Sequence, residues 1–169
     1  INSLCHYSGK RTYDVNSTSR DSWLVSLFTF GEGYHNYHHK FPSDYRNGIK
    51  WYAYDPSKWL IKVFSYLKIT SNLIMTNDYQ ILQSRFEVIS NTITEKVKKS
   101  NKNYLIARKM DLEILKNSAN DLISKIKTLE LPKNKINAQI NSESVINYKK
   151  KMVKVLADLD SISKSLSYS

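Results

Sequence analysis

Cysteine occurs once in these 169 residues, at Cys5. No disulfide can form within the chain, and a single thiol fits a reducing, cytoplasm-facing setting. Beside a histidine it could ligate a metal, but a lone cysteine is more often a small buried residue. Glycine is nearly as scarce, with four residues and no Gly-x-Gly-x-x-Gly run to cradle a dinucleotide, and one cysteine cannot supply an iron-sulfur quartet. Long apolar runs are missing as well. Trp23 to Phe30 is the best of them, and it is broken by Ser26 and far short of the ~20 residues that span a bilayer. A basic segment leading into an apolar stretch, the mark of a signal peptide, is absent from the start. The first residue is Ile1, not methionine, and it opens directly into a motif-dense stretch, from which we expect the tail of a longer protein.

Acidic residues are outnumbered, 15 against 26 Lys and Arg, for a net charge of +11. Such a balance suits anionic lipid, a phosphate-bearing substrate or nucleic acid, and narrows the partners only weakly. The scarce residue types are unevenly placed. All four histidines, glycines and tryptophans (three of the last) lie before residue 70, with eight of the twelve tyrosines, so the chemistry is expected in the front segment, residues 1–70. Residues 71–169 are rich in Lys, Asn, Ser, Ile and Leu, with only Pro132 to interrupt them. There, Tyr79 to Lys99, Tyr104 to Leu129 and Ser144 to Leu166 carry apolar residues at mixed three and four spacing, for example Leu105, Met110, Leu112, Leu115, Leu122, Ile126 and Leu129, which predicts three amphipathic helices. Packing must stabilise helices so rich in Asn, and Lys149 to Lys151 read as an exposed basic face. No internal repeat is visible.

In the front segment, Asp21 to Phe30 reads as a short buried helix and Gly31 to Pro42 as a tight polar connection. Asp55 to Leu67 reads as an amphipathic helix capped by Asp55, with Pro56 in its first turn and Trp59, Leu60, Val63, Phe64 and Leu67 on one face. Trp51, Tyr52, Tyr54 and Trp59, with Lys58, Lys62 and Lys68 opposite, suit a membrane interface as well as a soluble core.

The strongest signal is Gly31-Glu32-Gly33-Tyr34-His35-Asn36-Tyr37-His38-His39. On a helix, His35, His38 and His39 stand at i, i+3 and i+4 and share a face, and neutral imidazoles suit iron, zinc, copper or nickel. His6 lies in Asn2-Ser3-Leu4-Cys5-His6, where Asn2, four residues earlier, could hydrogen-bond a metal-bound water. Ligand type alone makes zinc the default metal. Carboxylates at matching spacing are lacking, which argues against a soluble bundle of Glu-x-x-His pairs around two irons.

These motifs, together with Gly9-Lys10-Arg11-Thr12-Tyr13, His39-Lys40-Phe41-Pro42 and Asp44-Tyr45-Arg46-Asn47-Gly48, resemble in order and spacing the carboxy-terminal portion of the Δ9-type acyl-CoA desaturases, stearoyl-CoA desaturase-like enzymes of the membrane-bound fatty acid desaturase family. The resemblance runs over about residues 1–70, and we recognise no counterpart for residues 71–169. It implies an all-α fold: the carboxy-terminal cytosolic cap of an enzyme with four transmembrane helices, here followed by a helical basic tail that could coil. It further implies two non-haem irons held by histidines of three boxes and one outlying histidine, with molecular oxygen as co-substrate. His35, His38 and His39 would be the third box, His6 the outlying ligand, and Asn2 would hold a water at one iron. The first two boxes, an H-x-x-x-x-H and an H-x-x-H-H additional to the one at His35 to His39, are not in this sequence, so half the ligand set is missing and the fragment alone is expected to be inactive.

Arg11, Glu32, Asn36 and Asp44 are candidates to orient the imidazoles or to form structural pairs, the latter preferred. The substrate implied is a fatty acyl-CoA or acyl-lipid. Electrons would come from an external donor, a haem cytochrome or a ferredoxin, which exposed Lys10, Lys40 and Lys50 could meet. The full-length protein is expected in the bacterial inner membrane or the endoplasmic reticulum, with this segment on the cytoplasmic face and no nucleic acid as partner. A histidine-box hydroxylase shares the same ligands. A non-enzymatic basic helical module at residues 71–169, binding nucleic acid or anionic membrane, is the alternative of another class.

Overall fold

The computed structural model describes the backbone of residues 2–99, 102–130 and 138–166, and the side chains of 3–98, 109–130 and 143–166. Among these described residues seven helices follow in order: α1 (Asn2–Tyr7), α2 (Trp23–Phe28), α3 (His35–Lys40), α4 (Pro56–Tyr66), α5 (Asp78–Lys99), α6 (Lys102–Glu130) and α7 (Ala138–Ser165). Strands are absent among the described residues, where two isolated bridges, Lys10 to Asp21 and Asp21 to Tyr34, are the only extended pairings. The chain divides into two compact units, Ile1–Thr76 and Asn77–Ser169.

The first unit is held less by apolar packing than by buried polar clasps. Asp55 caps α4 as its position before Pro56 predicts, accepting from Lys58 N at 3.0 Å, and its other oxygen accepts from Asn47 N and Gly48 N. Lys58, expected on the polar face of α4, is instead buried. Its Nζ donates to the carbonyls of Gly48, Lys50 and Ala53, because the loop before the helix folds back over it. Asp44 forms a second clasp. It receives two bonds from the Arg46 guanidinium, one from Tyr37 Oη at 2.6 Å and one from Thr76 N at 2.8 Å.

Two expectations for the front segment change. Helix α2 starts only at Trp23, with Ser22 as its cap, because Asp21 is drawn into the two bridges; and it is not buried as a whole, since Val25 and Ser26 turn inward while Trp23, Leu24, Leu27 and Phe28 stay exposed. The stretch Gly31 to Pro42, expected as a connection, contains α3. Its cap residue Tyr34 makes no side-chain cap bond, and the Asp21 carboxylate instead accepts from Asn36 N at 2.9 Å and Tyr37 N at 3.1 Å. Glycine is required just before this helix. A Cβ on Gly33 would sit 2.1 Å from Ser26 N, so α2 and the start of the histidine stretch approach as closely as backbones can.

The second unit is a three-helix bundle. Leu82, Phe86 and Ile93 of α5 pack with Leu112, Ala119, Leu122, Ile123 and Ile126 of α6 and with Met152, Leu156, Leu159, Ile162 and Leu166 in and just after α7. All three predicted helices are present, the last starting earlier than its apolar pattern. The expected face of α6 needs revision: Leu112, Leu122 and Ile126 are core and Leu115 packs against it, but Met110 is exposed. Met110 stands two residues, about 200°, from Leu112 on the helix. The Leu105 side chain and Pro132 lie outside the described residues. Lys149, expected on a solvated face, is half-buried between Asp78 and Glu130, drawing the start of α5 and the end of α6 onto α7. Burial opposes its charge, yet these two carboxylates win and raise its pKa.

Candidate metal centre

Two short helices bring the histidines together. Helix α1 carries His6, and two of its last carbonyls, which a helix end leaves without partners, are held by Arg20: the guanidinium donates to His6 O at 3.2 Å, and Arg20 N donates to Cys5 O at 2.9 Å, while the same guanidinium reaches Gly9 O, just past the helix, at 3.1 Å. Helix α3 carries His35, His38 and His39. One ring nitrogen from each of His6, His35 and His39 lies within 4.8 Å of the others, and His39 Nε2 and His35 Nε2 are 3.0 Å apart. His38 is exposed and does not join that group; its ring centroid lies 6.1 Å from that of His39.

Burial lowers the pKa of His35, and the neighbouring His39, His6 and His38 lower it further. A ring kept neutral in this way offers a lone pair rather than a second N–H, so the group fits a first-row transition ion of the kind imidazole prefers. The donor set is all nitrogen. It suffices for part of one ion's coordination; for two irons the described residues add only His38.

The remaining predicted residues fall into place separately. Asn36 is fully buried and satisfied: its Oδ1 accepts from Tyr13 N and Asp14 N, and its Nδ2 donates to Asp14 O and Ser19 O, pinning the loop between α1 and α2 onto α3. Asp44 serves the clasp already described. Arg11 Nη1 donates to Val15 O at 3.2 Å, within the same loop. Glu32 is exposed and contributes its carbonyl to Cys5 Sγ at 3.7 Å; burial and the Glu32 charge push the Cys5 thiol up, which suits an inert small core residue. The Asn2 side chain lies outside the described residues.

Two contributors escape sequence reasoning. Thr18 Oγ1 lies 2.7 Å from His6 Nδ1. Asp21, whose carboxylate holds the start of α3, is buried enough to raise its pKa to about 6 despite the N–H bonds from Tyr37 and Asn36. Nothing local marks either residue, since the partners are 12 and 15 residues away.

Asp44 sets the acid limit of this frame. Burial works to raise its pKa, but the Arg46 and Tyr37 side chains and two backbone N–H groups outweigh it and hold it at about 2. The unfolded chain, at the usual value of about 4, binds the proton more readily, so the stability Asp44 contributes is complete above about pH 4 and is lost as pH falls towards 2. Tryptophan fluorescence during acid titration is expected to report loss of the front unit in that window. An Asp44→Asn variant, already weakened at neutral pH, will have a flatter dependence there; an unchanged slope would contradict the assignment.

Residues 1–68 match the model of the fatty acid desaturase family. The chain is 44% identical to acyl-CoA desaturase 1 of Saccharomyces cerevisiae over 101 residues, 60% of this chain and 20% of that protein. It is also 44% identical to a probable acyl-CoA desaturase of Schizosaccharomyces pombe over 81 residues, 48% of this chain and 17% of that one. With Delta-9 acyl-lipid desaturase 2 of Arabidopsis thaliana it shares 40% over 80 residues, 47% of this chain and 26% of the relative. The chain therefore spans 17–26% of the length of these relatives. A likeness 101 residues long cannot be contained in residues 1–70, so it enters the segment for which no counterpart was recognised. No solved structure matches.

Proposed function

We propose, from the fatty acid desaturase likeness of residues 1–68, that this chain is the carboxy-terminal part of an oxygen-dependent fatty acyl desaturase, most closely of the Δ9 acyl-CoA type, that uses a histidine-ligated pair of irons. The convergence of His6, His35 and His39 from two separate helices is the observation that carries this reading. In it these three hold one iron, His38 serves the second, and Asn2 holds a water. The irons, when bound, supply the oxidation by molecular oxygen that removes hydrogen from an unactivated methylene pair, which no side chain can do.

The protein's own part is placement. Asp21 and Asn36 lock α3 to the α1–α2 loop so that the imidazoles converge before any metal arrives. Residues 1–70 belong in this reading to the catalytic domain and 71–169 form an appended helical tail. The exposed Trp23, Leu24, Phe28, Trp51, Trp59, Leu60 and Leu67 fit a membrane-embedded or interfacial surface of the full-length enzyme, with this segment on the cytoplasmic face. Exposed Lys10 and Lys50 and half-buried Lys40 suit an acidic external electron donor, a haem cytochrome or ferredoxin. No helix among the described residues is long and apolar enough to cross a membrane.

The full-length gene, expressed in a host lacking its own desaturase, is expected to restore cis-unsaturated acyl chains, and the 169-residue chain alone to restore none. Hydroxylated acyl chains without any new double bond would replace desaturation with hydroxylation as the activity.

A further inference from the structure

We infer that Thr18 is a positioning residue for His6, its hydroxyl fixing the imidazole so that Nε2 is the nitrogen presented to the metal shared with His35 and His39. This rests on the ligand role proposed for His6. The Thr18 Oγ1 to His6 Nδ1 distance is 2.7 Å, a full hydrogen bond. A metal-bound imidazole must carry its proton on the nitrogen away from the metal. With the metal on Nε2 that proton sits on Nδ1, where Thr18 Oγ1 accepts it; the hydroxyl, which can also donate, fixes the orientation of the ring and removes the flip that an unheld histidine makes freely.

The loop is built to hold the hydroxyl there. Ser17 Oγ and Ser19 Oγ lie 2.6 Å apart on either side of Thr18, Ser19 is buried, and Ser19 O accepts from Asn36 Nδ2 at 3.1 Å. Arg20 then ties the same loop to the carbonyl of His6 itself. Thr18 is thus fixed to both histidine-bearing helices, α1 through Arg20 and α3 through Asn36. Its β-branched side chain also has a stiff χ1. The partner that ligating histidines usually find in a carboxylate or a carbonyl is here a neutral hydroxyl.

Purified full-length protein carrying Thr18→Val, Thr18→Ser or His6→Ala tests the role, with iron retained per chain after chelator challenge and the Mössbauer signature of the iron as readouts. Thr18→Val keeps the shape but not the acceptor, and is expected to lose iron roughly 10- to 100-fold faster than the parent with an unchanged unfolding temperature. Thr18→Ser is expected to restore retention. If Thr18→Val holds iron like the parent while His6→Ala does not, or if Thr18→Ser fails to restore retention, the role of the hydroxyl is overturned. If His6→Ala itself holds iron with an unaltered signature, the ligand assignment of His6 falls.

Discussion

Replacing His35 or His39 with alanine in the full-length protein will abolish new double bonds in a desaturase-deficient host and strip iron from the purified enzyme. Both residues belong to the three-nitrogen group within 4.8 Å, and His39 Nε2 already stands 3.0 Å from His35 Nε2. Losing a direct ligand should cost more than the roughly 10- to 100-fold typical of an outlying partner. The fold has little stake in these rings. His35 is half-buried and His39 exposed, whereas Asn36 and Tyr37 between them are fully buried, so each variant should unfold within about 0.5 kcal/mol of the parent. His38→Ala is expected to be equally inactive, with part of the iron retained, since His38 stands outside the group. Full activity with full iron in His35→Ala would remove the metal centre from the protein's function.

The largest effect on stability is expected at Asp55. It is completely buried, and its two oxygens accept from three backbone N–H groups, those of Asn47, Gly48 and Lys58. The Lys58 side chain beneath it is also buried; burial lowers the pKa of that amine, and the charge of Asp55 is what counters it. Asp55→Ala leaves three donors without acceptors and an ammonium without its counter-charge, a combination of the kind that costs about 3–5 kcal/mol. Asp55→Asn should fall between, because an amide keeps one accepting oxygen but turns a donor towards N–H groups at the other. Thermal unfolding of the three proteins checks the order. An Asp55→Ala protein as stable as the parent would mean that the clasp contributes nothing.

What could be read from sequence was whatever depends on neighbours. The Asp55-Pro56 start of α4 is a contact across three residues, and the apolar spacing of α5, α6 and α7 repeats locally, so both were visible. The histidine stretch was visible as a motif, but not the grouping of His6 with His35 and His39 apart from His38, which depends on how α1 meets α3. Lys58 looked like a solvated residue because its three carbonyl acceptors come from a loop that only the fold places over it. Asp21 looked like the first residue of a helix, and Lys149 like one of three surface lysines, for the same reason: their partners are distant in sequence.

Asp21 also decides how long the histidine arrangement lasts. Helix α3 has six residues, well under the roughly 12 at which an isolated helix becomes even marginal in water, and would unravel almost as fast as it formed. Its persistence is borrowed from the loop before α2: Asp21 joins the backbone of Lys10 on one side and the opening N–H groups of α3 on the other, and the Asn36 side chain bonds the same loop. Loss of the histidine arrangement therefore requires that junction to open, and does not follow from the fraying of a short helix alone.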